Sequence, residues 1–251
     1  MKLVIIRHGD PIYVNDTLTP KGEVEADLLG RYLKKMGAKF DTVYCSPRGR
    51  AQKTCIAAQK ELGFTYETLP WMREFSAKIF NPTTHKRSIP WDLMPSFFTG
   101  RPLLYDSERW MEDVLFAETD MKEKYEEVKN GLEVLLAKHG YERDGSSKLF
   151  RAVRPNTDTV VLFCHFGLTG MMMSILTGFS PYVFWQHFCS LPTSVTTIVT
   201  EEREEGKVSF RCIGFGELSH LALGGEEPSF AARFPETFHS GESVVVPKDK
   251  V

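Results

Sequence analysis

The spacing of apolar and polar positions predicts short buried strands alternating with helices over the first third of the chain. Leu3 to Ile6 is a continuous apolar run, too short for a helix and typical of a strand buried on both faces. Two further strands are predicted at 40–44 and 64–69, and the helices between the strands at 21–36 and 47–62. This alternation is typical of an α/β fold.

Capping residues support both helix starts. Thr19 precedes Pro20, which predicts a threonine N-cap and a proline in the first helical position. Ser46-Pro47 repeats the arrangement before the second helix. The N-terminus of a helix offers free N–H groups and partial positive charge to an anion.

The pattern changes in the middle of the chain, which we interpret as an insertion. From Ser76 to about Tyr105, prolines and aromatic residues occur without periodicity and predict loops and short helices. A long helix is predicted over 107–139, and a turn or ragged hairpin over 141–155. This helix is predicted from apolar residues spaced three or four apart: Val114, Ala117, Met121, Tyr125, Val128, Leu132 and Leu135.

The α/β pattern resumes with a strand that ends at Cys164, followed by a helix over 168–176 and a hairpin of 194–200 with 207–214. The expected fold class is α/β, a three-layer sandwich with a mostly parallel central sheet flanked by helices and a largely helical cap insertion. The expected divisions are an α/β core, a cap insertion and a loosely ordered C-terminal tail: residues 1–75 with 151–223, residues 76–150, and residues 224–251.

Composition and charge narrow the class of protein. The 251 residues are 42% hydrophobic and 25% charged, as in ordinary globular proteins. The formal net charge of −2 gives no general reason to expect nucleic acid or an anionic membrane as a partner. The first strand is too short for a signal peptide or a membrane span. Five scattered cysteines without a CxxC pair indicate free thiols, so we expect a cytoplasmic protein.

Histidines and arginines follow two of the predicted strands, at the ends where α/β proteins bind ligands. Arg7-His8-Gly9 follows the first strand, and His165-Phe166-Gly167 follows the strand that ends at Cys164. A further cation, Arg50, lies in the first turns of the second helix. We therefore expect these groups to meet in one cationic pocket.

Such a pocket contains the groups that phosphoryl transfer needs. Guanidinium groups match phosphate oxygens in two-point contacts, and a neutral histidine can attack phosphorus. A carboxylic acid must then protonate the leaving oxygen, with a pKa high enough to hold that proton. Glu74, just past the third strand, and Asp10, just past His8, are the two candidates.

These positions resemble the histidine phosphatase superfamily in its phosphoglycerate-mutase-like branch. Arg7-His8-Gly9 resembles that family's signature after an N-terminal strand, and Leu18-Thr19 with Gly22 resembles its LT..G helix start. Three later segments resemble its SP..RA..T motif, its acidic residue after a short strand, and its SHG or CHG site: Ser46 to Thr54, Met72 to Phe75 and Cys164 to Gly167. The five matches occur in family order.

The resemblance implies a role for each of these side chains. His8 would be the nucleophile, passing through a phosphohistidine, and Glu74 would be the proton donor. The phosphoryl group would be held by Arg7, Arg50, His165 and Asn15. No metal and no cofactor would be needed, because cationic side chains supply the charge that Mg²⁺ provides in other phosphotransferases.

Two departures from the family pattern bear on the reaction. Phe166 stands directly after the second histidine, where the family has glycine. The loop after Gly9 is short and lacks the asparagine- and tryptophan-bearing segment of the glycolytic mutases. Asn15 would replace it only in part, one position out of register. The short loop favours hydrolysis over mutase activity.

We therefore expect a metal-independent histidine phosphatase, a phosphoric monoester hydrolase that acts on a small-molecule phosphate ester and releases inorganic phosphate. A mutase-type phosphotransferase and an inactive phosphate-binding regulatory protein are the alternatives, and assembly as a homodimer is left open. His220 would either cap the site or pack in the core. Four other histidines are expected to be structural: His85, His139, His187 and His239.

Overall fold

The predicted first strand lies in the middle of an eight-stranded sheet. The computed structural model of the protein describes residues 1–145, 147–231, 233–234 and 236–237. Its strands are β1 (Lys2–Arg7), β2 (Pro11–Ile12), β3 (Thr17–Leu18), β4 (Thr42–Cys45), β5 (Glu67–Thr68), β6 (Ile79–Asn81), β7 (Lys86–Ser88), β8 (Tyr141–Arg143), β9 (Phe150–Ala152), β10 (Thr159–Cys164), β11 (Val195–Glu204) and β12 (Lys207–Glu217). The large sheet has the order β5-β4-β10-β1-β11-β12-β9-β8.

The sheet is mixed. On one side of β1, strands β10, β4 and β5 run parallel to it. On the other side, every neighbouring pair from β1–β11 to β9–β8 is antiparallel. The α/β fold class is confirmed, whereas the expectation of a mostly parallel sheet holds only for the half that carries the strand-end histidines. The antiparallel half arises because β11 and β12 form a hairpin, which needs no crossover helix.

Helices cover both faces of the sheet. They are α1 (Pro20–Lys35), α2 (Gly49–Leu62), α3 (Pro95–Phe98), α4 (Met121–Lys138), α5 (Phe166–Thr177), α6 (Pro181–His187) and α7 (Ser219–Gly224). Alternate residues of β1 enter two separate hydrophobic clusters, Leu3 and Ile5 in one and Val4 and Ile6 in the other. Helices α1 and α2 cover the second cluster, and α4, α5 and α6 cover the first. The three layers of the predicted sandwich are therefore present.

The two early helices start differently. Thr19 caps α1 as predicted, because its side chain accepts from the N–H of Gly22 and Pro20 is the first helical residue. Helix α2 begins at Gly49, two residues later than predicted, since Arg48 is still extended. The side chain of Ser46 contacts His165.

The prediction for the middle of the chain is wrong in detail. The long helix begins at Met121, and the preceding residues form short 3-10 turns. Asp113 causes the break, since it is extended, ion-paired to Arg101, and caps the next turn through the N–H of Leu115. Val114, predicted to be buried, is 73% exposed. The small hairpin β6–β7 and helix α6 were not predicted.

The residues predicted as a cap insertion share the hydrophobic core of the sheet. Leu104 and Leu132 belong to the same cluster as Leu3 of β1. The predicted ragged hairpin is formed by β8 and β9, which extend the large sheet. The separation of a cap from the core stays a proposal about function.

The described part of the predicted tail is attached to α1. Lys21 pairs with Glu226, and the N–H of Ser229 donates to the Glu25 carboxylate at 3.1 Å. The remainder of the predicted loose tail lies largely outside the described residues. None of the described helices combines the length and apolar composition needed to span a bilayer.

Candidate active site

The carboxyl ends of β1 and β10 bring the two histidines together. The strands are parallel neighbours in which Arg7 is paired with Cys164, so His8 and His165 follow at the same edge of the sheet. Their ring centroids lie 5.1 Å apart, and both side chains are buried. The two strand ends therefore converge, as the sequence predicts.

Hydrogen bonds indicate which nitrogen of His8 carries the proton. Its Nδ1 lies 2.7 Å from the carbonyl oxygen of Gly9, which can only accept, so Nδ1 is the donor. Nε2 then has a free lone pair and accepts from Nε of Arg50 at 3.2 Å. The atom of His8 that can act as a nucleophile therefore faces a cation.

Both histidines are held in the neutral form. Burial, followed by the charges of Arg7 and Arg50, lowers the pKa of His8 well below its ordinary value. Burial, followed by the neighbouring His8 and the arginines, has the same effect on the pKa of His165. Both rings are therefore uncharged at neutral pH.

Arg50 enters the site from α2, and a loop residue holds its guanidinium group. Asp16 Oδ1 accepts from Nη1 of Arg50 at 2.5 Å, and Oδ2 accepts from the N–H of Gly49 at 2.9 Å. A Cβ at Gly49 would lie 2.3 Å from the carbonyl oxygen of Asp16, so the close approach requires glycine. Asp16 thus caps α2 and positions Arg50 at the same time.

Arg7 keeps one buried donor unused. Its Nη1 donates to the carbonyl oxygen of Ser190 at 2.7 Å, and its guanidinium carbon lies 5.4 Å from the ring centre of Phe166. Nε is buried and has no hydrogen-bond partner among the described residues. A buried donor without a partner costs about 1–3 kcal/mol, so this N–H is a candidate for contact with a bound anion.

Ser46 sets the orientation of His165. Its Oγ accepts from the N–H of Arg48 at 3.2 Å and lies 2.7 Å from Nε2 of His165. The hydroxyl proton is best used as a donor to Nε2, which leaves the proton of the ring on Nδ1. Nδ1 is buried and, within the described chain, has no partner. His165 and Arg7 therefore each leave one N–H available close to His8.

Two backbone N–H groups hold one oxygen of the Glu74 carboxyl group. Its Oε1 accepts from the N–H of Phe75 at 2.9 Å and of Leu168 at 3.0 Å, and Oε2 takes neither of these hydrogen bonds. Burial raises the pKa of this carboxyl group, and the charges of Arg50 and Arg7 oppose the rise. The same arginines that surround His8 therefore also act on Glu74.

The second acid candidate, Asp10, is engaged on the other side of His8. It is buried, and its Oδ2 accepts from the hydroxyl of Thr19 at 2.9 Å. Its N–H donates to Glu25 at 2.9 Å. Asn15 is exposed in the loop, next to Asp16. Its predicted contact with phosphate stays a prediction.

Two side chains of the site have roles that the sequence does not predict. The sequence predicts Ser46 as a helix cap, and only its distance to His165 shows the other use of the hydroxyl. For Asp16, the one signal in the sequence is its position directly after Asn15 in the loop before α1. The carbonyl of Ser190 carries no sequence signal, because any residue has one.

The remaining histidines and Cys164 have structural environments. His220 is buried behind the site, with Nε2 2.8 Å from the hydroxyl of Thr193, whose N–H donates to the carbonyl of His8. Burial raises the pKa of the Cys164 thiol to about 12. His139 contacts Tyr44, His187 contacts Tyr105, His85 lies in an exposed turn, and His239 lies outside the described residues.

No group of three or more His, Cys, Asp or Glu side chains arranged as metal ligands occurs within the described ranges.

Known proteins are similar to this chain in sequence and in fold. Residues 3–100 match the sequence model of the histidine phosphatase superfamily (branch 1). The chain is 35% identical over 75 residues to the 2,3-bisphosphoglycerate-dependent phosphoglycerate mutase 1 of Nitrosomonas europaea, covering 26% of this chain and 32% of that protein. The chain therefore spans about a third of the length of this curated relative.

Solved structures are similar over most of the chain. A phosphoglycerate mutase from Bacillus anthracis superposes with a TM-score of 0.60 at 18% identity, covering 90% of this chain and 97% of that one. A phosphoserine phosphatase mutant from Entamoeba histolytica, in complex with phosphoserine, superposes with a TM-score of 0.58 at 21% identity, covering 88% and 98%. At these identities the likeness shows the fold.

Proposed function

We propose that this chain is a member of the histidine phosphatase superfamily that hydrolyses a small phosphate monoester through a phosphohistidine on His8, a proposal supported by the match of residues 3–100 to that superfamily's sequence model. One observation carries this proposal. Two buried N–H donors, Nε of Arg7 and Nδ1 of His165, have no partner in the described chain, and the neighbouring neutral His8 turns its Nε2 lone pair towards Nε of Arg50. Such donors suit the oxygens of a phosphoryl group.

In the first step, Nε2 of His8 attacks phosphorus and the bond from phosphorus to the leaving oxygen breaks. The leaving oxygen takes the proton of Glu74, so that an alcohol departs and a carboxylate remains. Arg50 transfers its Nε hydrogen bond from His8 to a phosphoryl oxygen. Arg7, Arg50 and His165 then stabilise the charge on the transferred group.

In the second step, a water attacks the phosphohistidine and the nitrogen–phosphorus bond breaks. The Glu74 carboxylate takes a proton from this water, and inorganic phosphate leaves while His8 regains its lone pair. A bound phosphoryl group also neutralises part of the charge of Arg7 and Arg50, which are the groups that lower the pKa of Glu74. Substrate binding therefore favours the protonated acid.

A mutase is the second candidate, because the curated relative quoted above is a bisphosphoglycerate-dependent mutase. A mutase would return the phosphoryl group from His8 to a second hydroxyl group instead of to water. It would then require a bisphosphate primer and would transfer phosphate between positions of a glycerate. A binding protein without activity is disfavoured by the neutral, correctly oriented His8.

The test is a screen of the purified protein against phosphate esters, including phosphoserine, α-ribazole phosphate, 3-phosphoglycerate and p-nitrophenyl phosphate, with EDTA present. We expect hydrolysis without a bisphosphate primer and without added metal. His8→Ala should lower kcat/KM about 10³-fold or more, whereas the exposed His85→Ala should match the wild type. Protein denatured rapidly at alkaline pH, where the nitrogen–phosphorus bond survives, should carry a phosphoryl group on His8.

Four results would overturn the proposal. They are absence of phosphatase activity in the wild type, full activity in His8→Ala, activity only with a bisphosphate primer, and complete loss of activity in EDTA that Mg²⁺ restores.

A further inference from the structure

Trp91 comes from the segment predicted as a cap, and its indole lies on the first turn of α5. Its ring centre is 5.9 Å from that of Phe166 and 5.5 Å from that of Trp185. Its carbonyl oxygen accepts from Nε2 of Gln186 at 3.1 Å, and Nε1 of Trp185 donates to the carbonyl of Gly167 at 2.9 Å. Helix α6 therefore fixes Trp91 against the start of α5.

Trp91 and Glu74 both lie next to Gly167. A Cβ at this residue would lie 2.2 Å from Cη2 of Trp91 and 2.9 Å from Oε1 of Glu74. Both side chains thus border the small space that only a glycine leaves open. The same oxygen of Glu74 accepts from the N–H of Leu168, the next residue of the helix.

We infer that Trp91 is a positioning residue for Glu74. Its indole excludes water from the carboxyl group and keeps Oε1 on the N–H of Leu168. This inference rests on the proposed function, in which Glu74 is the proton donor. An apolar ring against a carboxyl group removes part of its hydration and thereby favours the neutral acid. Burial is the largest cause of the raised pKa of Glu74.

Other groups also act on this carboxyl. Arg7 of β1, Arg50 of α2 and Cys164 of β10 interact with it electrostatically. Three more charged side chains line the small cavity between the segment of Glu74 and α4: Arg73, Lys124 and Glu127. Arg73 and Glu127 are paired with each other. Replacing the uncharged indole leaves all of these charges in place, so a changed pKa of Glu74 reports the loss of the indole.

The pH profile measures this effect. In the wild type, kcat/KM should fall as pH rises through the pKa of Glu74, because the proton donor is lost. Trp91→Ala hydrates the carboxyl group and should move this fall to lower pH. A shift of one pH unit lowers kcat/KM about tenfold on the alkaline side.

The leaving group provides a second readout. Alkyl phosphates need a proton on the leaving oxygen and should lose activity in Trp91→Ala. Hydrolysis of p-nitrophenyl phosphate should be largely retained, since p-nitrophenolate departs without a proton. A general disturbance of the fold would reduce both activities equally.

Three further variants separate the indole from the fold. Trp91→Phe should restore most of the wild-type profile. Gly167→Ala should reproduce the Trp91→Ala profile, because its Cβ displaces the ring or the carboxyl group while alanine favours the helix. Trp110→Phe replaces a buried tryptophan of the same segment, packed on Phe116 and Tyr125, and should leave the profile unchanged.

The outcomes separate this inference from the proposed function. An unmoved alkaline limb in Trp91→Ala and Gly167→Ala, or equal losses on both kinds of substrate, overturns the role of Trp91. If Trp91→Ala does not fold, Gly167→Ala and Trp91→Phe decide the question. Absence of phosphatase activity in the wild type, or activity in His8→Ala, overturns the proposed function itself.

Discussion

One hydroxyl group decides which nitrogen of the second histidine can donate. Ser46 Oγ accepts from the N–H of Arg48 and faces Nε2 of His165, so the ring keeps its proton on Nδ1. That proton is one of the two buried donors on which the proposed phosphate contact depends. Ser46 therefore influences the proposed phosphate contact by fixing the tautomer of His165.

At this scale we predict that Ser46→Ala weakens phosphate binding. Without the hydroxyl, His165 is free to place its proton on Nε2 and present a lone pair to the anion. The loss of one such hydrogen bond corresponds to about 1–3 kcal/mol, or roughly 5- to 150-fold in kcat/KM and in the inhibition constant of inorganic phosphate. Ser46→Thr keeps the hydroxyl and should lose less. Unchanged phosphate inhibition in Ser46→Ala would contradict the assigned tautomer.

At the scale of elements, α4 packs closely against the segment that carries Glu74. Gly131 interrupts the apolar stripe of α4, and a Cβ there would lie 2.5 Å from the indole of Trp71. Trp71 stands three residues before Glu74. The glycine, which costs the helix about 1 kcal/mol relative to alanine, is the point at which this segment packs onto the helix.

We therefore predict that Gly131→Ala is destabilising, against helix propensity. The gain of about 1 kcal/mol in propensity is offset by an overpacking cost of about 1–3 kcal/mol, because the indole must move. Urea denaturation should show a lower free energy of unfolding. The exposed neighbour Asn130→Ala should instead raise it by a few tenths of a kcal/mol, about the difference in propensity. A Gly131→Ala variant more stable than the wild type would show that Trp71 is not held there.

At the scale of the whole molecule, one buried carboxyl group joins distant parts of the chain. Glu25 of α1 accepts from the N–H of Asp10, beside the site, and from the N–H of Ser229, near the end of the described chain. Burial is the main cause that raises the pKa of Glu25 to about 7, against the two N–H donors and Lys21. The folded protein therefore binds a proton at this group that the unfolded chain has already released.

The sign of the pH dependence follows from this difference. Since the pKa of Glu25 is higher in the folded state, its contribution to stability is retained below about pH 4.5 and lost as pH rises towards 8. Relative to Glu25→Gln, the wild type should lose about 2–3 kcal/mol of unfolding free energy between pH 5 and pH 8. The comparison cancels the titration of the other groups.

Denaturation of both proteins at several pH values measures this difference. Glu23→Gln, an exposed carboxyl group on the same helix, is the matched control and should show a smaller pH-dependent change. A difference between Glu25→Gln and the wild type that does not change with pH would contradict a raised pKa of Glu25.

The sequence by itself determined that the two histidines lie at one edge of the sheet. Parallel strands present their carboxyl ends at the same edge, so the groups after Ile6 and after Cys164 share it once both runs are strands, and the pairing of β1 with β10 then makes them neighbours. Local chemistry likewise determined the cap of α1, because Thr19 and Pro20 act within one turn. These features depend on short-range sequence and on strand geometry alone.

Only the tertiary structure decided which partner each polar group finds. Ser46 could cap a helix or face an imidazole, and the packing of β4 beside β10 selected the imidazole. Asp113 broke the predicted long helix by pairing with Arg101. Glu74 and Asp10 are both candidate proton donors in the sequence. In the structure, Asp10 is held by Thr19, whereas Glu74 lies near both arginines and Trp91. These contacts join residues far apart in the chain, so local periodicity and propensity contain no information about them.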